Sequence, residues 1–387
     1  MLGILAYEAR RGPQVMVARL LEPSVASAVL IAFALLGVWR VASVLHAFAA
    51  ADPRKKHVAD RLAASTLAIA IVATHVLGGY FLWSAYQMDL GIFGSGNDAD
   101  PGTDPGSSSR VTVLFAGLDS YTNRSESLYD SLMVVSVDTE TKRVAMVSVP
   151  RDTAGYPLYY GGTGKAKINS IPTYVQNGWL ASPDKPLTTL VKEVGYLVGI
   201  PINYYAIVDL GGFVTMVDAV GGIDIVNPSD IYDPAYDFLD GHLSVFQLSA
   251  GPHHLDGRLA LAYVRSRHGT GNSDYARAGR QQQLLVAIGH KMATPAMFAR
   301  LPDLMKQAGS LVKTNFPASR VADMVEFSQS VPAANYDKYV LGPPYSVSSA
   351  TAGAATSCLK LDKVAALSVR LFGADSRYYG KTQAATC

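Results

Sequence analysis

Two aspartates, five arginines and a glutamine carry the chemistry of this sequence. Asp119 closes the apolar run VTVLFAGLD, and Asp130 stands in YDSL at the head of the next one, SLMVVSVD. Carboxylates at strand ends separated by a loop can converge on one hard cation, and Mg²⁺ takes one or two carboxylates and completes its shell with water and phosphate oxygens. The same two residues also suit capping or turn positions. Arg151 follows the apolar run RVAMVSVP, Arg265 and Arg267 alternate in YVRSRH, and Arg277, Arg280 and Gln281 stand in DYARAGRQ. If YVRSRH is extended, its two arginines point to one face. If DYARAGRQ opens a helix, the free backbone N–H groups there add their own attraction for an anion. A guanidinium fork pairs with two phosphate oxygens at once and keeps its charge, so several of them beside a cation make a pyrophosphate clamp. Taken singly, each arginine also suits a solvated basic face paired with Asp218, Asp256 or Asp274.

Such a set needs a scaffold, and the patterning around it is that of an α/β domain. VTVLFAGLD (111–119) predicts a buried strand, SLMVVSVD (131–138) and RVAMVSVP (143–150) a hairpin around TETK, and PLTTLVKEVGYLVG (186–199) a helix. A strand over NYYAIVDL (203–210), a helix over GFVTMVDAVG (212–221) and a short strand over IDIVNP (223–228) follow. LDGRLALAYVRSR (255–267) reads as a helix running into a strand, and RAGRQQQLLVAIGHKM (277–292) as a long amphipathic helix with a basic start. MFARLPDLMKQAGSLV and ASRVADMVEFSQS read as helices completing an outer layer. His253 and His254 fall in an expected turn after Gly251–Pro252. Cys358 and Cys387 are the only cysteines; in an oxidising compartment they pair, and elsewhere they stay free thiols.

The chain has 387 residues, 49% of them hydrophobic and only 17% charged, with mean hydropathy +0.17. That composition excludes a disordered protein and directs attention to membrane segments. Pro23 to Trp39 is free of charge and continues apolar after Arg40 to Ala51; Leu62 to Met88 carries only His75 as a titratable group. Each is long enough to span a bilayer core, which takes about 20 residues. The intervening loop holds Arg54, Lys55, Lys56 and Arg61, so the positive-inside rule places it in the cytoplasm and everything after Met88 outside. Tyr80, Trp83 and Tyr86 then form an outer aromatic belt. Arg10, Arg11 and Arg19 would lie outside against the same rule, so residues 1–22 either rest on the membrane surface or follow a further upstream span. No cleavable signal peptide is recognisable, and the protein is expected to stay anchored. LGIFGSGNDADPGTDPGSSSR (90–110) reads as a stalk. A formal charge of +2, from 33 Lys+Arg against 31 Asp+Glu, gives no bulk field for nucleic acid.

The succession VTVLFAGLDS, YDSLMVVSVD, VAMVSVPRDT, KINS, VDLGGFVTMVDAVGGIDI, LDGRLALAYVRSRH and DYARAGRQQQLL resembles the catalytic domain of the LytR-CpsA-Psr family over about residues 110–292. The resemblance implies an α/β/α sandwich on the outer face of a bacterial cell membrane; here it follows the two transmembrane helices expected from the apolar runs. With the apolar runs and the stalk, the chain divides into an N-terminal segment (1–22), a membrane helix (23–51), a basic cytoplasmic loop (52–61), a second membrane helix (62–88), a linker (89–110), the catalytic domain (111–292) and a C-terminal helical completion and tail (293–387). The resemblance implies transfer of a glycopolymer from a polyprenyl-(pyro)phosphate carrier to peptidoglycan or another wall acceptor through a phosphodiester link. The lipid tail would lie in an apolar tunnel lined from 131–150 and 203–226.

Position by position, the resemblance makes Asp119 and Asp130 Mg²⁺-associated acids. It makes Arg151, Arg265, Arg267, Arg277 and Gln281 pyrophosphate binders and Lys167 of KINS a further phosphate contact, while Arg280 supports the helix or rim. Where the family often has an arginine two residues after the first Asp, this chain has Tyr121, with Arg124 a little later; the paired membrane helices also depart from the single anchor common in the family. The expected mechanism uses Mg²⁺, Arg151 and the other arginines to neutralise charge on the leaving lipid phosphate, with Asp130 or Asp152 taking the proton of an acceptor hydroxyl. Two other readings stand beside it: a polyprenyl-pyrophosphate hydrolase using water, and a non-enzymatic membrane-tethered regulatory or binding protein. No G-x-S-x-G or H-E-x-x-H motif supports a serine or zinc hydrolase.

Overall fold

The computed structural model describes residues 23–50, 58–92, 109–119, 128–238, 243–269, 272–292, 312–351 and 354–384. Residues 1–22, the cluster Arg54–Lys55–Lys56, most of the stalk, Tyr121, Arg124, the expected helix MFARLPDLMKQAGSLV but for its last residue, and Cys387 fall outside these ranges.

Helices α1 (Pro23–Ala50) and α2 (Val58–Ile92) are long and apolar enough to cross a membrane. They pack through two glycine notches: a Cβ at Gly37 would lie 2.7 Å from the His75 ring, and one at Gly78 2.6 Å from the Phe33 ring. The Phe33 and His75 rings stack between them with centroids 4.6 Å apart. Small residues admit such close approach where no hydrophobic force drives helices together. α2 starts four residues before the expected span and runs four beyond it. Asp60 in its first turn suits the positive end of the helix, so Asp60 and Arg61 join the helix, and the basic loop is shorter than 52–61.

The domain that follows opens with β1 (Arg110–Asp119), β2 (Leu128–Asp138) and β3 (Arg143–Ser148). A two-residue ribbon, β4 (Tyr156–Pro157) with β5 (Thr163–Gly164), precedes α3 (Ile171–Gln176), α4 (Pro186–Val198), β6 (Tyr204–Asp209) and α5 (Leu210–Ala219). Then come β7 (Ile223–Asn227), β8 (Ile231–Asp237), β9 (Leu243–Leu248), β10 (Gly251–Leu255), α6 (Gly257–Arg265) and α7 (Asp274–Met292). The chain finishes with β11 (Val312–Thr314), α8 (Ala318–Ser330), β12 (Tyr336–Val340), β13 (Ser346–Thr351), β14 (Ala354–Leu359) and α9 (Leu361–Phe372).

The central sheet runs β11-β6-β1-β2-β3-β12. β1, β2 and β3 are antiparallel in sequence, while β6 lies parallel to β1 and β12 parallel to β3. Strand alternation sorts the apolar residues onto two faces. Leu114, Leu132, Val134 and Val147 pack under Leu190 and Val194 of α4 and Val364 and Leu367 of α9. Met133, Val135, Val144 and Met146 pack on the other side against Leu285 of α7 and Phe327 of α8. The result is the expected α/β/α sandwich. A second core gathers α5, α6 and the ribbons β7–β10 and β8–β9 against α7 through Val217, Ile223, Phe246 and Tyr263.

Three expectations change. The division at residue 292 does not separate a catalytic domain from its completion, because both edge strands of the sheet, β11 and β12, come from beyond it. That region is not an outer helical layer only: besides α8 and α9 it carries the hairpin β13–β14. His253 and His254 lie in strand β10 paired to β7, with His254 Nδ1 2.6 Å from Asp224 Oδ1, rather than in a turn. Cys358, on β14, is disulfide-bonded.

Candidate functional site

The site forms where β1 and β2 lose their regular pairing. Gly117 faces Ser131 but Leu118 faces Tyr129, so Asp130 is the extra residue of a β-bulge. In unbroken alternation Asp130 would follow Leu132 and Val134 into the core under α4; the bulge re-aims it, and Asp130 and Ser131 both line the same cavity. Asp119, at the end of β1 on the face that carries Val113 and Phe115, is 4% exposed and lines that cavity as well.

Arg151 follows β3 in a turn closed by Thr153, whose N–H and hydroxyl both donate to the Pro150 carbonyl. Its Nη1 donates to Asp130 Oδ1 at 2.6 Å, its Nε lies 3.6 Å from Asp152 Oδ2, and Lys167 Nζ donates to Asp152 Oδ1 at 2.6 Å. Four alternating charges therefore run Asp130–Arg151–Asp152–Lys167. Burial opposes the Arg151 charge, but Asp130, by charge and hydrogen bond, and then Asp152 and Asp274 outweigh it and hold the guanidinium above its ordinary range.

Arg265 is the last residue of α6, whose first turn is capped by Asp256 accepting from Leu259 N at 2.8 Å. Asp218 likewise accepts from Gly257 N, so neither of these acids neutralises an arginine. The strand expected over YVRSRH is absent: the helix ends at Arg265, Ser266 turns extended (φ −55°, ψ 132°), and its hydroxyl donates to buried Asp233. Arg265 and Arg267 still line one cavity, because a single extended residue at a helix end separates them. Arg280 fixes that end. Its Nε donates to the Tyr263 carbonyl at 2.6 Å and its Nη2 to the Ser266 carbonyl, satisfying acceptors at the negative end of α6. Burial pulls the Arg280 guanidinium down to about 10, with the nearby Arg277 charge adding to the effect, so it keeps its charge at neutral pH.

α7 begins three residues earlier than the sequence suggests, with Ser273 Oγ accepting from Ala276 N at 3.0 Å. Arg277 thus sits in the first turn, and Gln281 in the second presents its side chain rather than backbone N–H. Gln281 ties the bulge to α6: Oε1 accepts from Ser131 Oγ at 2.9 Å and Nε2 donates to the Val264 carbonyl at 3.2 Å. Arg277 is 8% exposed and 3.2 Å from Asp274, and its Nε has no protein partner. Burial lowers its pKa, and although Asp274 and Asp130 oppose this, the positive charges of Arg151 and Arg267 lower it further. An anion among these three arginines would relieve that repulsion.

Two cavities meet at this cluster. The larger, about 480 Å³, has apolar walls that include Phe115, Val208, Phe213, Met216, Leu261 and Ile288, and its polar end includes Asp119, Asp130, Arg151, Arg265, Arg267 and Arg277. The smaller, about 340 Å³, is lined by more polar residues than apolar ones and shares Asp130, Ser131, Arg151, Arg267, Arg277 and Gln281 with the first. Lys167 lines neither and reaches the cluster through Asp152. Of the stretch 131–150 only Ser131 and Met133 line the apolar cavity, since alternation sends its other apolar side chains into the sandwich cores; α5, α6 and α7 supply much of that wall. Sequence reasoning missed Tyr236 and Asp233, which lie in no motif, and Ser131, which YDSL holds beside Asp130.

The LytR_cpsA_psr family model matches residues 95–340. The chain is 32% identical over 255 residues to the Polyisoprenyl-teichoic acid–peptidoglycan teichoic acid transferase TagV of Bacillus subtilis, covering 64% of this chain and 62% of that protein. It is 30% identical over 214 residues to the TagU transferase of the same description from Bacillus cereus, covering 55% and 63%. The chain therefore spans under two thirds of the length of these relatives. Among solved structures, that of B. subtilis TagV superposes with a TM-score of 0.54 at 24% identity, over 72% of this chain and 100% of that one. TagT bound to LIIa-WTA gives 0.51 at 23%, over 70% and 95%. At such identities these structures show the shared fold.

Proposed function

Because this chain belongs to the LytR-CpsA-Psr family, we propose that it is a membrane-anchored transferase that moves a glycopolymer from a polyprenyl-pyrophosphate carrier to peptidoglycan or another wall glycan. One observation carries the reading: Asp130, Ser131, Arg151, Arg267, Arg277 and Gln281 form a wall shared by an apolar and a polar cavity. A lipid-linked sugar has that same division, with hydrocarbon on one side of a pyrophosphate and carbohydrate on the other. In this reading α1 and α2 hold the domain at the membrane that supplies the donor, and the positive-inside rule applied to the basic loop supports a domain outside the cell.

In this reading Arg151, Arg267 and Arg277 bind the pyrophosphate, Arg265 extends the clamp toward the lipid-side phosphate, and Gln281 keeps the wall of β2 and α6 together. The acceptor hydroxyl attacks the glycan-side phosphorus, and the lipid phosphate leaves with the bonding electrons. Phosphoryl transfer passes through a loose transition state in which positioning and charge neutralisation do most of the work, so the hydroxyl proton leaves late. A carboxylate as strongly paired as Asp152 or Asp130 can accept it. The all-oxygen pair Asp119 and Asp130, lining one cavity, fits Mg²⁺, which needs few protein ligands when phosphate and water complete its shell; among the described residues no larger acid or histidine cluster competes. When bound there, the ion would neutralise negative charge on the pyrophosphate.

The test is transfer by the purified full chain from a polyprenyl-pyrophosphoryl glycan to peptidoglycan, read as a phosphodiester-linked product. Arg267→Ala should lower the rate at least about 100-fold, the scale for losing one preorganised charge contact, with an unchanged melting temperature. Full activity in that variant would overturn the clamp. Donor breakdown at the same rate without acceptor would identify a hydrolase.

A further inference from the structure

We propose that the 340 Å³ polar cavity is the subsite for the acceptor sugar and that the C-terminal hairpin β13–β14 determines which sugar it takes. The inference rests on the transferase reading and adds to it a place for the second substrate. In-line displacement puts the attacking oxygen directly opposite the leaving group. With the lipid phosphate leaving toward the apolar cavity, the attacker approaches from the polar one across the shared wall. The donor's own first sugar hangs from the same phosphorus at right angles to that line, so the space opposite the leaving group belongs to the acceptor.

The lining has the chemistry of a carbohydrate site. Ser273, Ser348, Ser357, Asp152, Asp274 and Tyr275 line the space, and serine hydroxyls, carboxylates and an aromatic ring are the groups that bind sugars. Ser357 is 6% exposed and its buried Oγ has no protein partner; the Nε atoms of Arg151 and Arg277, two residues of the shared wall, are also buried without a hydrogen bond. The hairpin is locked in place: Ser357 N–H donates to the Asp152 carbonyl and Ala154 N–H to the Ser357 carbonyl, both at 3.0 Å. It lies at 346–359, beyond the 95–340 matched by the family model.

In the step so placed, the acceptor oxygen forms a bond to the glycan-side phosphorus and the bond from that phosphorus to the bridging oxygen breaks. The lipid phosphate departs with the electron pair, and the hydroxyl proton passes to Asp152, which lines only the polar cavity.

The experiment uses the full chain in detergent, a polyprenyl-pyrophosphoryl N-acetylglucosamine donor and a β-1,4-linked N-acetylglucosamine–N-acetylmuramic acid tetrasaccharide acceptor. Ser348→Trp fills the exposed lip of the cavity, and Ser357→Ala removes the unpartnered hydroxyl without adding volume. Ser348→Trp should raise the acceptor KM at least about 10-fold and Ser357→Ala about 5-fold, the scale of one lost hydrogen bond, with the donor KM within about 2-fold of wild type. A parallel rise in donor KM would assign the cavity to the donor's sugar and overturn the proposal, as would unchanged constants in both variants. Tetrasaccharide binding that Ser348→Trp abolishes, in a chain that transfers nothing, would uphold the subsite and sink the transferase reading instead.

Discussion

Replacing Glu193 by Gln should make the protein more stable at alkaline pH and leave it unchanged at acid pH. Glu193 lies in the middle of α4 with no exposed surface. Its Oε2 accepts from Tyr159 N–H at 3.1 Å, while Oε1 is buried without a partner. The Tyr156 hydroxyl is also buried and unpartnered. Burial pushes the carboxyl up from 4.5 to about 7, against the smaller opposing effects of the Tyr159 N–H and the Arg377 charge. A carboxyl whose folded pKa exceeds its unfolded value favours folding while protonated, and that contribution is full below pH 4.5 and lost as pH rises through about 7. At 1.36 kcal/mol per pH unit, the interval from 4.5 to about 7 corresponds to about 3 kcal/mol.

The Gln side chain keeps the acceptor for Tyr159 N–H and cannot ionise. At pH 8 the variant should therefore gain up to about 3 kcal/mol, which for a domain of this size raises Tm by roughly 6–12 °C. Melting curves of wild type and Glu193→Gln, recorded from pH 4.5 to 8.5, should converge at the acid end and separate between pH 5 and 7. A separation that stayed constant across this range, or a variant less stable at pH 8, would refute the assignment of the charge penalty to Glu193.

Arg280→Met should lower stability by about 2–5 kcal/mol in denaturant titration, since the Tyr263 and Ser266 carbonyls lose a charged donor; transfer should fall too, because the chain end that carries Arg265 and Arg267 is released. Met216→Trp, which narrows the apolar cavity, should raise the KM for a long-chain polyprenyl donor at least several-fold and that for a short-chain analogue much less, as steady-state rates with paired donors will test. Gly78→Leu drives a side chain into the Phe33 ring and should separate α1 from α2, lowering the unfolding midpoint in SDS titration while leaving the melting of the α/β/α domain unchanged.

The strands that build the sheet centre were legible because their residues alternate: β1, β2 and β3 bury one face against α4 and α9 and the other against α7 and α8. The arginines were legible by type, since several charges that cannot be neutralised beside apolar runs call for an anion. Asp130's orientation was not, because a bulge is one extra residue in a register that only pairing reveals. YVRSRH alternates like a strand, yet Asp256 caps a helix ten residues before Ser266 and Arg280 binds its far end, and those contacts override a short pattern. β11 has three residues, and β13 and β14 are rich in Ser, Thr and Ala, so none carries an apolar period that would reveal an edge strand or a hairpin.

The charges of the site are paired within its own wall, and the proposed function would require that pairing to change when a donor binds. Arg151 and Arg277 each have an acid in contact, Asp130 at 2.6 Å and Asp274 at 3.2 Å, which holds like charges together in one wall. An anion entering between the two cavities competes with Asp130 for Arg151. To the extent that it succeeds, it frees a carboxylate at the junction where the reacting phosphorus would lie. Before the anion comes, Asp130 lowers the cost of the buried guanidinium; afterwards the same carboxylate is available to a cation or a proton. In the proposed mechanism, the bulge that sets Asp130 on the cavity side would therefore do more than place an acid near a cation: it would couple the carboxylate's availability to occupancy of the clamp. The near-neutral total charge of the chain conceals that exchange, because in the proposed mechanism each arginine of the wall that meets an acid would be matched only until a phosphate displaced that acid.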